Sequence, residues 1–538
     1  MSRTRIVKGI YNKITKGSHN MFAEEDIVSS AFKEVKQKGG DGISFNAPGR
    51  LENTTSDDFK ISFSIKKDGH YKTVVPLGIL NAKGGYENPF FAFNFSLSQS
   101  NVDSLKFEVF DEEGKSIYSM TNLPEVVVRA VKHQNLLENI EKKKPQFDPL
   151  KPVNMWEWKP VFIPFNVPPS DYTKIGSYII LWDGFDDNDI YDSTRFNNKN
   201  LKVKITATKG NKQKSLEIEF STVYEKIKWV DVKIDKKNKK INTTIRVDLR
   251  DGGAEGLDCT SYITGGRINP HWETKCPWQA IPNDVLAYYK QQPIKTRTKN
   301  YEELKKIALE GLKKYWSRSS SNGLKVGQSA NISGKLYEIN VNPVDSKKNA
   351  MNSLPLIYNT NKDWMRSGNP GGSYDDDNLD DNVMNAFPDM GVIQRLSYNA
   401  GYIHHNWKND ARKGWRFHTE LDNNKAYDAI SEFKETAAHE LGHELLQAYS
   451  GTTYSWQHKG SSYYLPQDTK PTKGNETTKD KLTHFNIMNS YGENYPQQGE
   501  IDIMKYYNNE PNPKDHLRLV AAEKDVLGLI WLTKIKIK

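Results

Sequence analysis

Between residues 57 and 250 apolar and polar side chains alternate with a period of two, and this restricts the first half of the chain to strands. The alternation is clear in FKISFSI at 59–65, LKFEVF at 105–110, LKVKITA at 201–207, LEIEF at 216–220 and WVDVKI at 229–234. Successive strand side chains point to opposite faces, so each run has one face for a core and one for water, as in antiparallel sheets. Turn-forming residues such as DEEG at 111–114 separate the runs, and DKKNKK at 235–240 reads as a solvated hairpin turn. The Lys- and Pro-rich stretch 142–152 (KKKPQFDPLKP) reads as a linker. Two small β-sandwich modules are therefore expected, 56–140 and 156–250, joined by 141–155.

Ahead of them, RIVKGIYN at 5–12 is followed directly by KITKGSHN at 13–20. Residues 1–55 are read as a short spike-like or hairpin segment, because eight-residue repeats with a fixed Gly suit strands that turn at regular intervals.

Beyond residue 300 the period changes from two to that of a helix. Apolar residues recur at helical spacing in 301–316, with Asn300 available as the N-cap. Short strands are expected at 336–341, 354–358 and 401–404. A long helix is expected at 428–449, closed by Ser450-Gly451, and a final one at 515–532. The fold class expected is multidomain: a β-rich N-terminal half, a connector at 251–299, and an α+β domain at 300–538.

Charge and composition exclude several roles. The formal net charge is +9, yet the lysines are spread along the chain and balanced by Asp and Glu, so no nucleic-acid partner is expected. No run approaches the roughly 20 apolar residues a membrane span requires, and no apolar h-region follows the basic start, so neither a transmembrane segment nor a classical signal peptide is expected. Cys259 and Cys276 could close a disulfide in an oxidising compartment or stay as buried thiols, and the count does not decide. The acidic stretches 182–192 (WDGFDDNDIYD) and 375–382 lack the spacing of an EF-hand loop and are read as structural turns. The first resembles the Trp-Asp-Gly turn of immunoglobulin-like domains of bacterial surface proteins.

The chemistry concentrates in ETAAHELGHELL at 435–446. His439 and His443 stand four residues apart, so on a helix both imidazoles leave the same face one turn apart and can reach one ion. Glu440, beside the first, can meet a water on that ion rather than the ion itself; this is the H-E-x-x-H arrangement of zinc sites. Phe433, Ala437, Ala438, Leu441, Leu445 and Ala448 give the helix an apolar side for a core. A catalytic Zn2+ takes a third protein ligand. An elongated motif would require His at 449, where the chain has Tyr449. His458, fifteen residues after His443, is the expected ligand, with Asp468, Glu476 and His484 as alternatives. The pair His404-His405 is read as strand or loop structure. Two similar stretches, NIMNSY at 486–491 and DIMKYY at 502–507, could each place a methionine turn beneath the metal, with Tyr491, Tyr506 or Tyr507 as an oxyanion donor.

With these residues the C-terminal portion, 300–538, resembles the zincin-type metallopeptidase effectors of Bacteroidetes contact-dependent secretion, of the type VI or contractile kind. Helix 435–446, HKGS at 458–461, GEIDIM at 499–504 and the ending 520–532 carry the resemblance. One helix, a small sheet and then a ligand-bearing helix is the element order of such peptidases. The resemblance implies a zinc peptidase exported without a signal peptide. Its partners would be a spike or tube component of the apparatus, a cognate immunity protein, and a protein or peptidoglycan substrate. The alternative is a structural or binding component of that apparatus with a non-catalytic zincin fold.

Overall fold

The alternating segments form strands whose apolar residues face inward. The computed structural model describes residues 58–121, 172–267, 269–369, 393–405, 413–420, 428–456, 458–461, 494–507 and 513–538. The octads, the linker, the acidic stretch at 375–382, the alternatives Asp468, Glu476 and His484, and the 486–491 turn with Tyr491 lie outside them.

Strands Lys199–Lys209 and Lys212–Tyr224 make the longest hairpin, in register from Lys199↔Thr222 to Lys209↔Lys212. Leu201, Val203, Ile205 and Ala207 are buried, whereas Lys202 and Lys204 on the other face pair with Glu217. This hairpin lies at the centre of a six-stranded sheet with Ser104–Phe110 and Ser116–Met120 on one side and Ile535–Ile537 and Thr73–Val74 on the other. A second sheet runs Lys60–Lys66, Phe91–Ser98, Gly176–Trp182. The two are joined by aromatic packing: Phe93 meets Phe107 at 5.4 Å and Phe220 at 6.0 Å between ring centroids.

The expected pair of sandwiches, split near 141–155, is not what these strands build. Strands from before and after that stretch share both sheets, because Phe91–Ser98 pairs with Lys60–Lys66 along one edge and with Gly176–Trp182 along the other. Alternation identifies a strand's buried face but not its neighbour.

The hairpin turn at 235–240 is present between Val230–Asp235 and Lys240–Val247, with Asn238 N–H donating to Asp235 Oδ1 at 2.8 Å. The 182–192 loop is a turn whose carboxylates are engaged: Asp186 accepts from the backbone of Asn188 and Ile190 and pairs with Arg195, and Asp183 pairs with Lys236. Further on, Lys240–Val247 pairs in parallel with Lys335–Asp345, and a parallel sheet joins Leu249–Glu255, Leu354–Asn359 and Leu396–Asn399. Between them Thr260–Thr264 and His271–Lys275 form an exposed hairpin closed by a Cys259–Cys276 disulfide.

Short helix α1 is Asn283–Tyr289, and α2 is Tyr301–Trp316. The Asn300 side chain accepts from Glu303 N–H at 3.0 Å and Glu303 accepts from Asn300 N–H at 2.8 Å, a reciprocal cap that starts α2. Leu304, Ile307, Ala308, Gly311, Leu312 and Tyr315 line its buried stripe. Helix α3, Ala429–Ser450, is capped by Asp428, which accepts from Ser431 N–H at 2.7 Å, and stops at Gly451 with φ 91°. Helices α2 and α3 touch backbone to backbone: a Cβ at Gly311 would come within 2.1 Å of Lys434 O. Trp316 Nε1 adds a buried hydrogen bond to Ala438 O at 3.0 Å.

The chain then enters α4, Thr452–Trp456, and ends with α5, Glu523–Trp531, and strand Ile535–Ile537. The single helix expected over 515–532 is divided. Leu519–Val520 pairs in parallel with Ile501–Asp502, and Ala521 N–H donates to Tyr315 O, so the backbone of this stretch braces its neighbours instead of bonding within a helix. The protein is β-rich, with several sheets and few helices, and no helix among the described residues is long and apolar enough to cross a membrane.

Candidate metal centre

Helix α3 carries His439 and His443 on one face, as their spacing of four requires. After Gly451 the chain turns back through α4, and His458 and Lys459 take left-handed backbone angles, φ 49° and 63°. That reversal lays His458 over α3. One ligand atom from each of His439, His443 and His458 then lies within 4.8 Å of the others. The rings of His439 and His443 are 4.9 Å apart and near perpendicular, and His458 lies 5.2 Å from the first and 4.7 Å from the second.

Hydrogen bonds orient two of these rings. His439 Nδ1 lies 2.7 Å from the carbonyl oxygen of Ile503, which can only accept, so Nδ1 carries the proton and Nε2 keeps its lone pair. His443 Nδ1 lies 3.1 Å from Ser455 Oγ, whose own proton goes to His443 O at 2.7 Å. Ser455 therefore accepts from Nδ1, and His443 Nε2 also keeps its lone pair. Burial first, then the neighbouring His439, pushes His443 well below its ordinary pKa, which favours the neutral imidazole a metal requires. His439 Nε2 is buried with no hydrogen-bond partner among the described residues. A buried nitrogen lone pair without a donor is costly, and a divalent cation would satisfy it. The three residues fit a zinc ion.

Glu440 sits at the edge of this cluster, partly exposed, with its backbone carbonyl accepting from Asn369 Nδ2 at 2.9 Å. Burial pushes its carboxyl up, against the pull of His439 and Arg366. Beneath the cluster runs the 502–507 stretch. Asp502 Oδ1 accepts from Met504 N–H at 3.0 Å, a turn that presents Ile503 O to His439 and drives Met504 into the core. Met504 packs on α3 where the helix lacks a side chain: a Cβ at Gly442 would meet its Sδ at 2.4 Å. Tyr506 stacks on His458 at 3.8 Å and lies 5.7 Å from His439. Burial, then Glu440 nearby, pushes the ionisation of its hydroxyl up, against the pull of the Arg366 guanidinium. Tyr507, by contrast, accepts from Asp502 N–H at 3.0 Å and belongs to the turn.

The remaining sequence candidates lie elsewhere. Tyr449 points from α3 toward α5, its hydroxyl donating to Leu80 O at 3.0 Å. His404 contacts Asp363 at 2.7 Å and His405 contacts His418 at 3.3 Å, both beside the small sheet whose central strand is Gly401–His404. Arg366, Asn369 and Ser455 were missed by the sequence reading. Each reaches the site from a segment with no motif, and only Ser455 had a local clue, a hydroxyl three residues before His458. No known family model, curated protein or solved structure matches this chain.

Proposed function

We propose that the chain is a zinc-dependent peptidase in which His439, His443 and His458 hold the metal and Glu440 is the general base. The observation that carries this is the convergence of three imidazoles, two of them with Nδ1 already engaged and Nε2 left for an ion. When bound, zinc supplies Lewis acidity, polarising the scissile carbonyl and lowering the pKa of a water toward about 7. Glu440 takes the proton of the attacking water on a carboxylate oxygen and returns it to the leaving amine nitrogen. Tyr506, its hydroxyl held protonated and backed by Arg366, donates to the oxyanion that develops on the substrate.

In this reading residues 300–538 are a zincin-like α+β domain, and the chain is an exported effector resembling contractile-secretion cargo. The Cys259–Cys276 disulfide supports work in an oxidising compartment. The partners expected are a spike or tube component, an immunity protein, and a protein or peptidoglycan substrate, with no nucleic acid.

The test is zinc content of the purified full chain together with casein and peptidoglycan cleavage by wild type and Glu440→Ala. Stoichiometric zinc in both proteins is expected, with activity lower by about 10²–10⁴-fold in the variant. Equal activity in the two would overturn the enzymatic reading and leave a structural component of the apparatus. Production of the full chain in the cytoplasm and in the periplasm of a test bacterium, scored by growth, separates target compartments.

A further inference from the structure

The residue after the third histidine is a buried lysine. Lys459 is 5% exposed, and its Nζ sits between two carboxylates, 2.5 Å from Asp525 Oδ2 and hydrogen-bonded to Asp502 Oδ2. The Asp525 side chain is fully buried, and its second oxygen accepts from the Tyr454 hydroxyl at 3.3 Å. The Lys524 ammonium lies 4.9 Å over the Tyr454 ring and offsets the second negative charge. Burying this many charges is expensive, and an apolar cluster of the same volume often does as well for stability. The cluster therefore calls for a role beyond holding the fold together.

Its position indicates that role. Asp502 opens the turn whose next residue, Ile503, accepts from His439 Nδ1 and whose Tyr506 stacks on His458. Asp525 stands in the first turn of α5, and Tyr454 neighbours Ser455, the partner of His443. One ammonium thus ties the turn that touches His439 and His458 to α5, and through Asp525 to Tyr454, the neighbour of the His443 partner Ser455. The pair His458 and Lys459 also holds two consecutive left-handed conformations without glycine, which side chains with a Cβ adopt reluctantly and which surrounding contacts must enforce.

We propose that Lys459 is a positioning residue that locks His458 into the ligand set, by clamping the left-handed pair 458–459 to Asp502 and Asp525. This rests on the reading of the three histidines as a metal site. Without the clamp the 458–459 backbone relaxes, and the site falls back toward the two helix-borne ligands.

The test is zinc affinity of the full chain by chelator competition, with the visible spectrum of the Co2+-substituted protein reporting ligand number. Lys459→Met is expected to weaken zinc by about 10–100-fold, the usual cost of losing an outer partner of a ligand, and to alter the Co2+ spectrum as His458→Ala does. In a His458→Ala background, Lys459→Met should cost nothing further in affinity, and Lys459→Arg should recover most of the binding. Where Lys459→Met fails to fold because two carboxylates are left unpaired, Lys459→Met with Asp502→Asn and Asp525→Asn removes the charges together and is expected to show the same loss. Wild-type zinc affinity in folded Lys459→Met or in the folded triple variant, or an equal further loss without His458, overturns the proposal. Unchanged affinity in His439→Ala and His443→Ala as well would instead overturn the metal site itself.

Discussion

Every imidazole has two nitrogens, and at this centre the choice between them is made by groups other than the metal. Ile503 O takes the Nδ1 proton of His439, and Ser455 Oγ takes that of His443 while donating its own proton to the same residue's carbonyl. Ser455 is fully buried, so no water replaces it easily when the hydroxyl is removed. In Ser455→Ala the Nδ1–H of His443 is left buried without an acceptor and the ring loses its orientation. Zinc affinity should fall by about 10–100-fold, as for other outer partners of ligating histidines. Chelator competition measures this, and thermal unfolding in excess chelator serves as the control. A stability loss in chelator with zinc affinity unchanged would make Ser455 a plain helix-to-helix tie. The residues that hold or adjust the site were the least legible in the sequence. Two of the histidines and Glu440 announce themselves by spacing on one helix, whereas Ser455, Arg366 and Lys459 act through contacts made only once the chain has turned back.

Among the elements, the contact between α2 and α3 sets the position of the histidine-bearing helix. Gly311 faces Lys434 O so closely that an added Cβ would sit 2.1 Å from it, and backbone, unlike a side-chain end, cannot swing aside. Gly311→Ala gains helix propensity but forces the helices apart, and overpacking of this kind costs about 1–3 kcal/mol. The expected result is a lower denaturation midpoint together with weaker zinc binding, because Lys434 lies little more than one turn before His439. A midpoint equal to or above wild type would show that the crossing has room to spare. The start of α2 and the end of α3 were legible because caps are local chemistry: Asn300 and Gly451 mark ends that the structure has. Strand segments were legible for the same reason. Strand partners were not, since Phe91–Ser98 draws its neighbours from residues some 30 and 80 positions away, and nothing in its own alternation names them. The final helix was overextended because Leu519, Val520 and Ala521 are apolar like the helical residues after them, yet their backbone bonds to Ile501–Asp502 and Tyr315.

At the scale of the whole molecule the last strand joins the two ends of the described chain. Ile535–Ile537 inserts between Thr73–Val74 and Lys212–Tyr224, with Ile535 opposite Tyr224 and Lys536 opposite Thr73. Lys534 before it pairs with Glu87 and Glu225, and Trp531 Nε1 donates to Glu87 at 3.0 Å. The strand is reached directly from α5, which carries Asp525 and packs Gly528 against Tyr449 of α3. Loss of the strand should therefore destabilise both the sandwich and the helices that bear the histidines. Ile535 and Ile537 are buried, and each truncation to Ala removes about 2–5 kcal/mol. In the double Ile535→Ala, Ile537→Ala chain, near-UV circular dichroism of the aromatic sandwich and far-UV signal from the helices should lose their native values together, at one lowered midpoint. Zinc should shift that common midpoint upward by mass action. Two separate transitions, with only the sandwich signal moved by the substitutions and only the helical signal moved by zinc, would show that the shared strand does not couple the two parts.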